Sequence, residues 1–425
     1  MDFYRSEPVR GVHFAAAHTE SFKNAAVTVS FVLPLSAETA SGYSLLSNLI
    51  SLSTAKHPTM RDFCIRKDEI YALSLDAYVQ RRAGEMLLFT AEMNLLSDSY
   101  ALEGDKILEP AAELLGEMLF RPLLTEEGLF PPESIETEKR TLIEELDSVI
   151  ENKPGYAAKR AREIMCAGEP FAAAVGGERE RVAALTAQEL AVLYRNMLAE
   201  APVIITYAGD ADTATAEKCL LAHLPFAPRA GELPPVTLHP RAENLKTVFE
   251  KAETEQTVLV LGLSAAPAKT ARERAVLSVF DEMLGGGTSS RLFRNVRERD
   301  GLCYYCNSYP YAGKNVIFVT AGVDARCTEK ARTAIYAELA AIGRGDFTGS
   351  ELENAKLSLV RSVDGIGGSL GGASSFLQGQ FLSPCGAVTA QELKDNVRSV
   401  TRGEIAAYAR TVFPDTEFIL GASEK

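Results

Sequence analysis

The chain repeats part of itself, and this repeat limits the folds that it can adopt. The segment Phe130–Asp147 aligns without a gap with Phe347–Asp364, from the first residue to the last. A second matching pair begins at Leu185 and at Val400, and a short β-rich run follows each member. The spacing between copies is far longer than the roughly 20–50 residues of a solenoid repeat. We therefore predict a duplicated domain.

A proline-rich stretch separates the two copies. Residues 226–241 contain four prolines, at positions 228, 234, 235 and 240, and show no apolar period. This composition is typical of a semi-rigid extended linker. We predict one domain at residues 1–225, a linker at 226–241 and a second domain at 242–425.

Strand and helix patterns follow the same order in both halves. Val27–Leu33 alternates apolar and polar residues as a strand does, and Glu133–Asn152 is a long amphipathic stretch. In the second half, strands are predicted near Thr257–Leu263, Cys303–Tyr309 and Asn315–Ala321. This order predicts an α+β fold with two homologous domains, each a mostly antiparallel sheet layered with helices.

Charge and composition exclude several kinds of partner. The 425 residues carry a formal net charge of −13, which nucleic acid and anionic lipid would repel. Apolar runs stay below the roughly 18 residues of a membrane span, and the N-terminal MDFYRSEPVR lacks the apolar stretch of a signal peptide. Seven scattered cysteines are typical of free thiols in a reducing compartment. We expect a cytoplasmic protein that binds neither nucleic acid nor membrane.

The longest motif in one piece is Leu284–Tyr305, with the sequence LGGGTSSRLFRNVRERDGLCYY. It resembles the second-half signature of the insulinase (pitrilysin) family of zinc peptidases, which runs roughly GGG-x-SSRLF…VRE…GLAY. The order of elements is similar to that family from about Val27 to the C-terminus. The resemblance implies a processing-peptidase-like fold whose two domains face each other across a cleft.

The zinc motif of that family is absent from the first half. Family members carry His-x-x-Glu-His on a helix, with the histidines as zinc ligands and the glutamate as general base. The matching positions in this chain are Ser44, Ser47 and Asn48, whereas Glu138 and Glu145 persist on the helix that supplies the third ligand. The resemblance therefore implies a degenerate member with no catalytic residue, no metal and no other cofactor.

Residue spacing does not indicate a substitute metal site. None of the five histidines is three or four residues from another, as ligands on one helix would be. Without histidines opposite them, Glu138 and Glu145 are expected to form ion pairs with basic neighbours such as Lys139 or Arg140, or to face a solvated cavity.

Two residues of the signature are candidates for substrate contact. The arginine of VRE and the tyrosine of GLAY reach the substrate backbone in the family, and they match Arg297 and Tyr304. A guanidinium and a phenol can donate hydrogen bonds to a peptide carbonyl that becomes negatively charged during attack. The alternative is a buried pair with a structural role.

The glycines Gly285, Gly286 and Gly287 have two interpretations. They occupy the place of a longer glycine-rich loop in the non-catalytic subunit of mitochondrial processing peptidase, which implies backbone opened toward a peptide path. Three glycines can equally end one helix and start another. A phosphate-binding loop is not favoured, because a helix precedes the glycines and no Gly-Lys-Ser/Thr follows them.

Cys303 and Cys306 have the CxxC spacing of redox and metal motifs. Residues three apart in a regular strand point to opposite faces of the sheet. We therefore expect the two sulfurs to diverge and both residues to serve packing.

A peptidase frame with the substrate-contact pair but without the zinc motif implies that two chains share the work. In two-subunit members of the family one chain holds zinc and the other contributes arginine and tyrosine across a closed chamber. The resemblance implies a non-catalytic subunit that forms a heterodimer with an active homologue and encloses a peptide or unfolded segment. It extends to a bacterial accessory group linked to the 5-aminopentanol modification of elongation factor P.

Two other classes of function stay open. One is a metal-free peptide-binding scaffold that acts alone or as a homodimer. The other is a hydrolase with an unrecognised nucleophile, although no Ser-His-Asp or Cys-His arrangement is visible in sequence order.

Overall fold

The computed structural model of the protein describes residues 3–82, 84–383 and 385–422. These residues form two compact units, each built around one sheet. The first unit contains the chain as far as Asp147, Ala173–Pro235 and Gly365–Ser383. The second contains Ser148–Ala172, Val236–Asp364 and the chain from residue 385 onward.

The first sheet is mostly antiparallel. Its strands are β1 (Phe3–Val9), β2 (Val12–His18), β3 (Asn24–Pro34), β4 (Ser74–Arg82), β5 (Met86–Leu96) and β6 (Val203–Gly209). They lie in the order β1-β2-β6-β3-β5-β4, with β2 and β6 parallel. The predicted strand Val27–Leu33 lies inside β3, a central strand that is buried along nearly its whole length.

The second sheet repeats this topology. Its strands are β7 (Lys246–Lys251), β8 (Thr257–Ser264), β9 (Cys303–Tyr311), β10 (Val316–Val323) and β11 (Phe413–Gly421). Their order is β7-β11-β8-β10-β9, and β7 and β11 are the parallel pair. This is the order of β2-β6-β3-β5-β4 in the first sheet. The predicted α+β fold with two homologous domains is confirmed.

The described residues also form α-helices in both units. In chain order they are α1 (Ala40–Ile50), α2 (Met60–Glu69), α3 (Leu108–Phe120), α4 (Pro132–Ser148), α5 (Lys153–Met165), α6 (Arg179–Ala184), α7 (Ala187–Glu200), α8 (Thr213–His223), α9 (Ala271–Asp281), α10 (Thr328–Arg344), α11 (Gly349–Asp364), α12 (Leu370–Leu382), α13 (Ala390–Ser399) and α14 (Arg402–Ala409). None of the described helices is long and apolar enough to cross a membrane.

Local sequence signals recur at matching helices of the two copies. Helix α7 begins with a capping box between Thr186 and Glu189, and α14 begins with the same arrangement between Thr401 and Glu404. In such a box each partner satisfies a backbone N–H that the first helical turn leaves without an intrahelical acceptor. The second sequence match therefore marks equivalent helix starts.

The first sequence match ends where the chain passes from one unit to the other. Asp147 aligns with Asp364, and the unit boundaries fall immediately after these two residues. Helix α5, which lies within the predicted first domain, thus belongs to the second unit, and α12, within the predicted second domain, belongs to the first. The two copies exchange the helical segments that follow their aligned helices.

Each exchanged helix is packed into the sheet of the unit that contains it. Ala157, Ala161 and Met165 of α5 belong to a buried cluster with residues of β8, β10 and β11. Leu377 of α12 packs against alanines of β2, and the Gln378 amide donates a 2.9 Å hydrogen bond to the buried Ser30 hydroxyl of β3. Both segments therefore complete a hydrophobic core.

The predicted linker contains neither helix nor strand across residues 226–241. The division between the units falls inside it, after Pro235. On the first-unit side, the buried Arg229 guanidinium donates hydrogen bonds to the carbonyls of Leu198 and Ala201. Its pKa is lowered by burial, so backbone acceptors are what satisfy this cation.

Candidate functional site

Helix α1 carries the three positions that match the lost zinc motif. Ser44 and Ser47 are buried, and Asn48 is partly exposed. The Ser47 hydroxyl donates a 2.7 Å hydrogen bond to the backbone carbonyl of Ser44, within its own helix. Side chains of this kind offer neither the imidazoles that bind zinc nor a carboxylate that could serve as general base.

Helix α4 places Glu138 beside Asn48. Burial raises the pKa of Glu138, the hydrogen bond from Asn48 opposes the rise, and the nearby carboxylate of Glu145 adds to it. Glu138 is half-buried, whereas Glu145, two turns further along the helix, is exposed. The acidic pair and the amide thus lie near one another in the first unit.

Lys139 does not form the ion pair with Glu138 that was one of the expected alternatives. The Lys139 ammonium lies 2.9 Å from Glu136 and donates a second hydrogen bond to the Ala183 carbonyl. Adjacent helical residues point in different directions, whereas residues three apart are neighbours on the helix surface. Lys139 therefore reaches Glu136, and Glu138 keeps its face toward α1.

Helix α9 leads into the glycine segment of the second unit through a wide helical turn, Glu282–Gly286. A Cβ on Gly285 would lie 2.5 Å from the backbone nitrogen of Ser308 in β9. A Cβ on Gly286 would have looser contacts, with carboxylate oxygens of Asp281 and Glu282 at 3.1 Å and with the Asp281 backbone carbonyl at 3.2 Å. Gly285 is thus required for a close helix–strand approach, and this packing role favours the structural interpretation at that position.

Asp281 and Ser308 form a buried polar contact that the sequence analysis did not single out. The Ser308 hydroxyl donates a 2.6 Å hydrogen bond to Asp281, the last residue of α9. Burial raises the pKa of Asp281 to about 7, although the Ser308 hydrogen bond opposes this rise. Asp281 is close to the glycine segment in sequence, but only the fold brings Ser308 to it.

Arg297 lies in a second wide helical turn, Leu292–Arg299, and Tyr304 is the second residue of β9. The Arg297 guanidinium stacks over the Phe293 ring at 4.6 Å and lies 3.4 Å from the Glu298 carboxylate. Its side chain is 39% exposed, and Tyr304 is 59% exposed. Both donors are therefore open to a ligand, which is not the geometry of a buried structural pair.

The expectation that Cys303 and Cys306 diverge is wrong. Cys303 pairs with Val323 and Tyr305 with Gly322, so Tyr304 is an extra residue in the strand. Such a bulge shifts the alternation of side chains by one residue. Both cysteines consequently face the same core, where a hydrogen bond from Cys306 and the charge of Arg297 lower the pKa of Cys303.

Comparison with protein families supports the sequence resemblance. The family model described as "Peptidase M16 inactive domain" matches residues 184–359. The chain is 25% identical to a probable inactive metalloprotease, YmfF, of Bacillus subtilis over 406 residues, covering 96% of this chain and 95% of that protein. It is 27% identical to an uncharacterized zinc protease of Streptomyces coelicolor over 362 residues, covering 80% of this chain and 74% of that protein.

Solved structures share the whole fold. A conserved protein from Enterococcus faecalis V583 superposes with a TM-score of 0.89 at 27% identity, and all of both chains is covered. A peptidase M16 inactive domain from Pseudomonas fluorescens has a TM-score of 0.79 at 18% identity, covering 100% of this chain and 99% of that one. The fold of this chain is thus shared along its whole length with these solved structures.

Proposed function

Because the chain belongs to the insulinase-type (M16) metallopeptidase family as a degenerate, inactive member, we propose that it is the non-catalytic subunit of a two-chain peptidase. Its partner is a homologue with an intact His-x-x-Glu-His motif. The observation that carries the proposal is the combination of Ser44, Ser47 and Asn48 on α1 with exposed Arg297 and Tyr304. The zinc chemistry is missing while the substrate-contact donors remain.

The character of those donors supports an assisting role. Carbonyl attack develops negative charge on oxygen, and a guanidinium and a phenol placed at that oxygen stabilise the charge. Arg297 is oriented by its stacking on Phe293 and its ion pair with Glu298, and it retains exposed surface for a ligand. A subunit with this pair can contribute to turnover at a zinc ion that its partner holds.

The substrate class that we propose is a peptide or an unfolded protein segment. A net charge of −13 permits neutral and basic segments and disfavours nucleic acid. The scattered positions of the seven cysteines are typical of a reducing compartment, which favours the cytoplasm. Within that class, we propose that the complex acts in the 5-aminopentanol modification of elongation factor P.

The pairing proposal is tested by purifying the chain and a zinc-bearing homologue separately and then together. We expect a heterodimer by size-exclusion chromatography with light scattering, and hydrolysis of an unstructured peptide only by the mixture. The control is a partner whose motif glutamate is replaced by glutamine, which should form the complex without hydrolysis. A homologue that is fully active alone and forms no complex with this chain would overturn the proposal. A stable homodimer of this chain that binds peptide would favour the scaffold.

The link to elongation factor P has a separate test. Deletion of the gene for this chain should leave elongation factor P without the mass of 5-aminopentanol in intact-protein mass spectrometry. Reintroduction of the wild-type gene should restore that mass. Full modification in the deletion strain would remove elongation factor P from the proposal without affecting the pairing.

A further inference from the structure

Three metal-binding types of side chain meet in the interior of the second unit, whereas the positions that match the family motif belong to the first. Cys166 follows α5, Glu169 lies three residues later, and His239 comes from the linker. One potential ligand atom from each lies within 4.8 Å of the other two. Among the described residues this is the only cluster of three or more histidine, cysteine or acidic side chains with that geometry. Spacing rules missed it, because its members are brought together by the fold.

The two ring nitrogens of His239 have different surroundings. Nδ1 lies 3.8 Å from the Cys166 sulfur and 2.6 Å from Glu169 Oε1. Nε2 lies 3.1 Å from a carboxylate oxygen of Asp415, at the start of β11. In protein metal sites, a ligating histidine usually donates its other N–H to a carboxylate, which fixes the ring orientation and the tautomer. Asp415 has that relation to His239.

Glu169 is likewise held in place by a charged group, the ammonium of Lys314. Its second oxygen, Oε2, is paired with the ammonium of Lys314, which also donates 2.7 and 3.0 Å hydrogen bonds to the carbonyl and hydroxyl of Thr237. Lys314 is fully buried, and Cys166, His239 and Asp415 are at most 6% exposed. Asp415 therefore orients His239, and Lys314 orients Glu169, and both of these charged groups are buried.

We propose that Cys166, Glu169 and His239 bind a divalent cation of the zinc class through Sγ, Oε1 and Nδ1. Thiolate, imidazole and carboxylate together are a zinc-type ligand set, whereas magnesium and calcium take oxygen ligands. Thiolate and carboxylate neutralise the two charges of the ion, and Lys314 and Asp415 balance each other. A water molecule fills the fourth position of a tetrahedral ion.

The movements required around His239 Nδ1 are small. Two ligand atoms on a tetrahedral zinc ion are roughly 3.3–3.6 Å apart at the usual bond lengths. The sulfur–nitrogen distance already approaches this value, and the contact between Glu169 and His239 must open by roughly 0.7 Å. Glu169, whose side chain is 19% exposed, is the ligand with room to rotate.

The alternative occupant of the cluster is a proton. Burial alone would lower the pKa of His239, but its contacts with Asp415, Cys166 and Glu169 raise that pKa to about 10. An imidazolium between two carboxylates would then tie the same three segments together without an ion. The cation and the proton compete for Nδ1, so a metal titration distinguishes the two states.

The site has a structural purpose that is independent of the proposed partner. Cys166 and Glu169 lie in the exchanged segment Ser148–Ala172, His239 lies in the linker, and Asp415 lies in the last strand. A bound cation joins the exchanged segment to the sheet that it covers. Loss of the cation would lower the stability of the second unit without touching Arg297 or Tyr304.

The test uses Co²⁺ as the probe on the full-length chain after dialysis against a chelator under reducing conditions. We expect saturation at about one equivalent with a thiolate-to-cobalt charge-transfer absorption, displacement of that absorption by Zn²⁺, and a higher melting temperature with Zn²⁺. Cys166→Ser should abolish the absorption, whereas the matched control Cys306→Ser, at another buried thiol, should retain it. Asp415→Asn should weaken binding by roughly 10–100-fold.

The wild-type titration decides the matter even if a variant fails to fold. Absence of the charge-transfer absorption in wild-type protein would overturn the proposal and leave the protonated network. Absorption that persists in Cys166→Ser and disappears in Cys306→Ser would place the ion at Cys303 and Cys306. That result would equally overturn the proposal. Neither result would affect heterodimer formation or peptide hydrolysis by the complex.

Discussion

The hydroxyl of Ser308, in strand β9, donates a 2.6 Å hydrogen bond to the carboxylate of Asp281, the last residue of helix α9. The same Ser308 backbone nitrogen is the atom that a Cβ on Gly285 would strike. The end of α9, strand β9 and the glycine segment thus pack closely for two reasons. Asp281 and Ser308 form a hydrogen bond, and Gly285 has no side chain that would separate the helix from the strand. Two predictions test this arrangement separately.

The first concerns pH. The folded-state pKa of Asp281, about 7, lies above its unfolded value of 3.8. Its stabilising contribution is therefore fully present below the unfolded value and is lost as pH rises through about 7. Asp281→Asn should gain stability relative to wild type between pH 5 and pH 8, by on the order of 1–3 kcal/mol. Urea denaturation at the two pH values measures the gain, and Glu243→Gln, at an exposed carboxylate, should show none.

The second prediction compares neighbouring glycines. Gly285→Ala should destabilise the protein by about 1–3 kcal/mol, because its new methyl meets backbone that cannot move independently. Gly286→Ala should be milder, since the carboxylate ends at 3.1 Å can rotate and the Asp281 carbonyl at 3.2 Å needs a smaller shift than the Ser308 nitrogen at 2.5 Å. The difference in denaturation midpoint between the variants is the measurement. Equal midpoints would show that the helix–strand approach at Gly285 tolerates a Cβ.

The duplication could be predicted from the sequence because the repeated helices kept matching residues. The exchange of α5 and α12 could not, since an amphipathic pattern states that one face is buried but not which sheet buries it. The repeat alignment ended at Asp147 and Asp364, but only the fold shows that the chain passes from one unit to the other after each of them. At Cys303 and Cys306 the period-two rule failed for another reason, because a bulge has no compositional mark in CYYC.

The third prediction tests the exchanged helix α12. Leu377 is fully buried against β2, so Leu377→Ala should reduce the free energy of unfolding by about 2–4 kcal/mol. The matched control is Leu357→Ala in α11, where the leucine is 47% exposed and its truncation should have little effect. Chemical denaturation followed by circular dichroism measures both. Equal effects of the two changes would contradict the assignment of α12 to the core of the first unit.

The fourth prediction rebuilds the zinc motif in Cys166→Ser protein, so that the other cysteine–histidine site cannot contribute. Ser44→His, Ser47→Glu and Asn48→His together should create zinc binding at about one equivalent per chain, because Glu145 remains in the third-ligand place. Chelator competition measures the affinity, and circular dichroism checks the fold, since Ser44 and Ser47 are buried. Adding Glu145→Gln should weaken binding. Unchanged affinity would show that Glu145 is not a ligand.

The last prediction concerns Arg297 and Tyr304 in the complex with a zinc-bearing homologue. If each donates to the substrate carbonyl during attack, Arg297→Ala or Tyr304→Phe should lower turnover by roughly one to three orders of magnitude. Heterodimer formation and the melting temperature of the isolated chain should change little, because both side chains are substantially exposed.

Two neighbours provide matched controls for that experiment. Arg294→Ala removes an exposed arginine from the same helical turn, and Tyr305→Phe removes a hydroxyl from the next residue of β9. Both should retain turnover, because neither residue matches the family's contact pair. If Arg297→Ala and Tyr304→Phe also retain full turnover in an intact complex, assistance in trans is excluded and the chain acts as a scaffold for its partner.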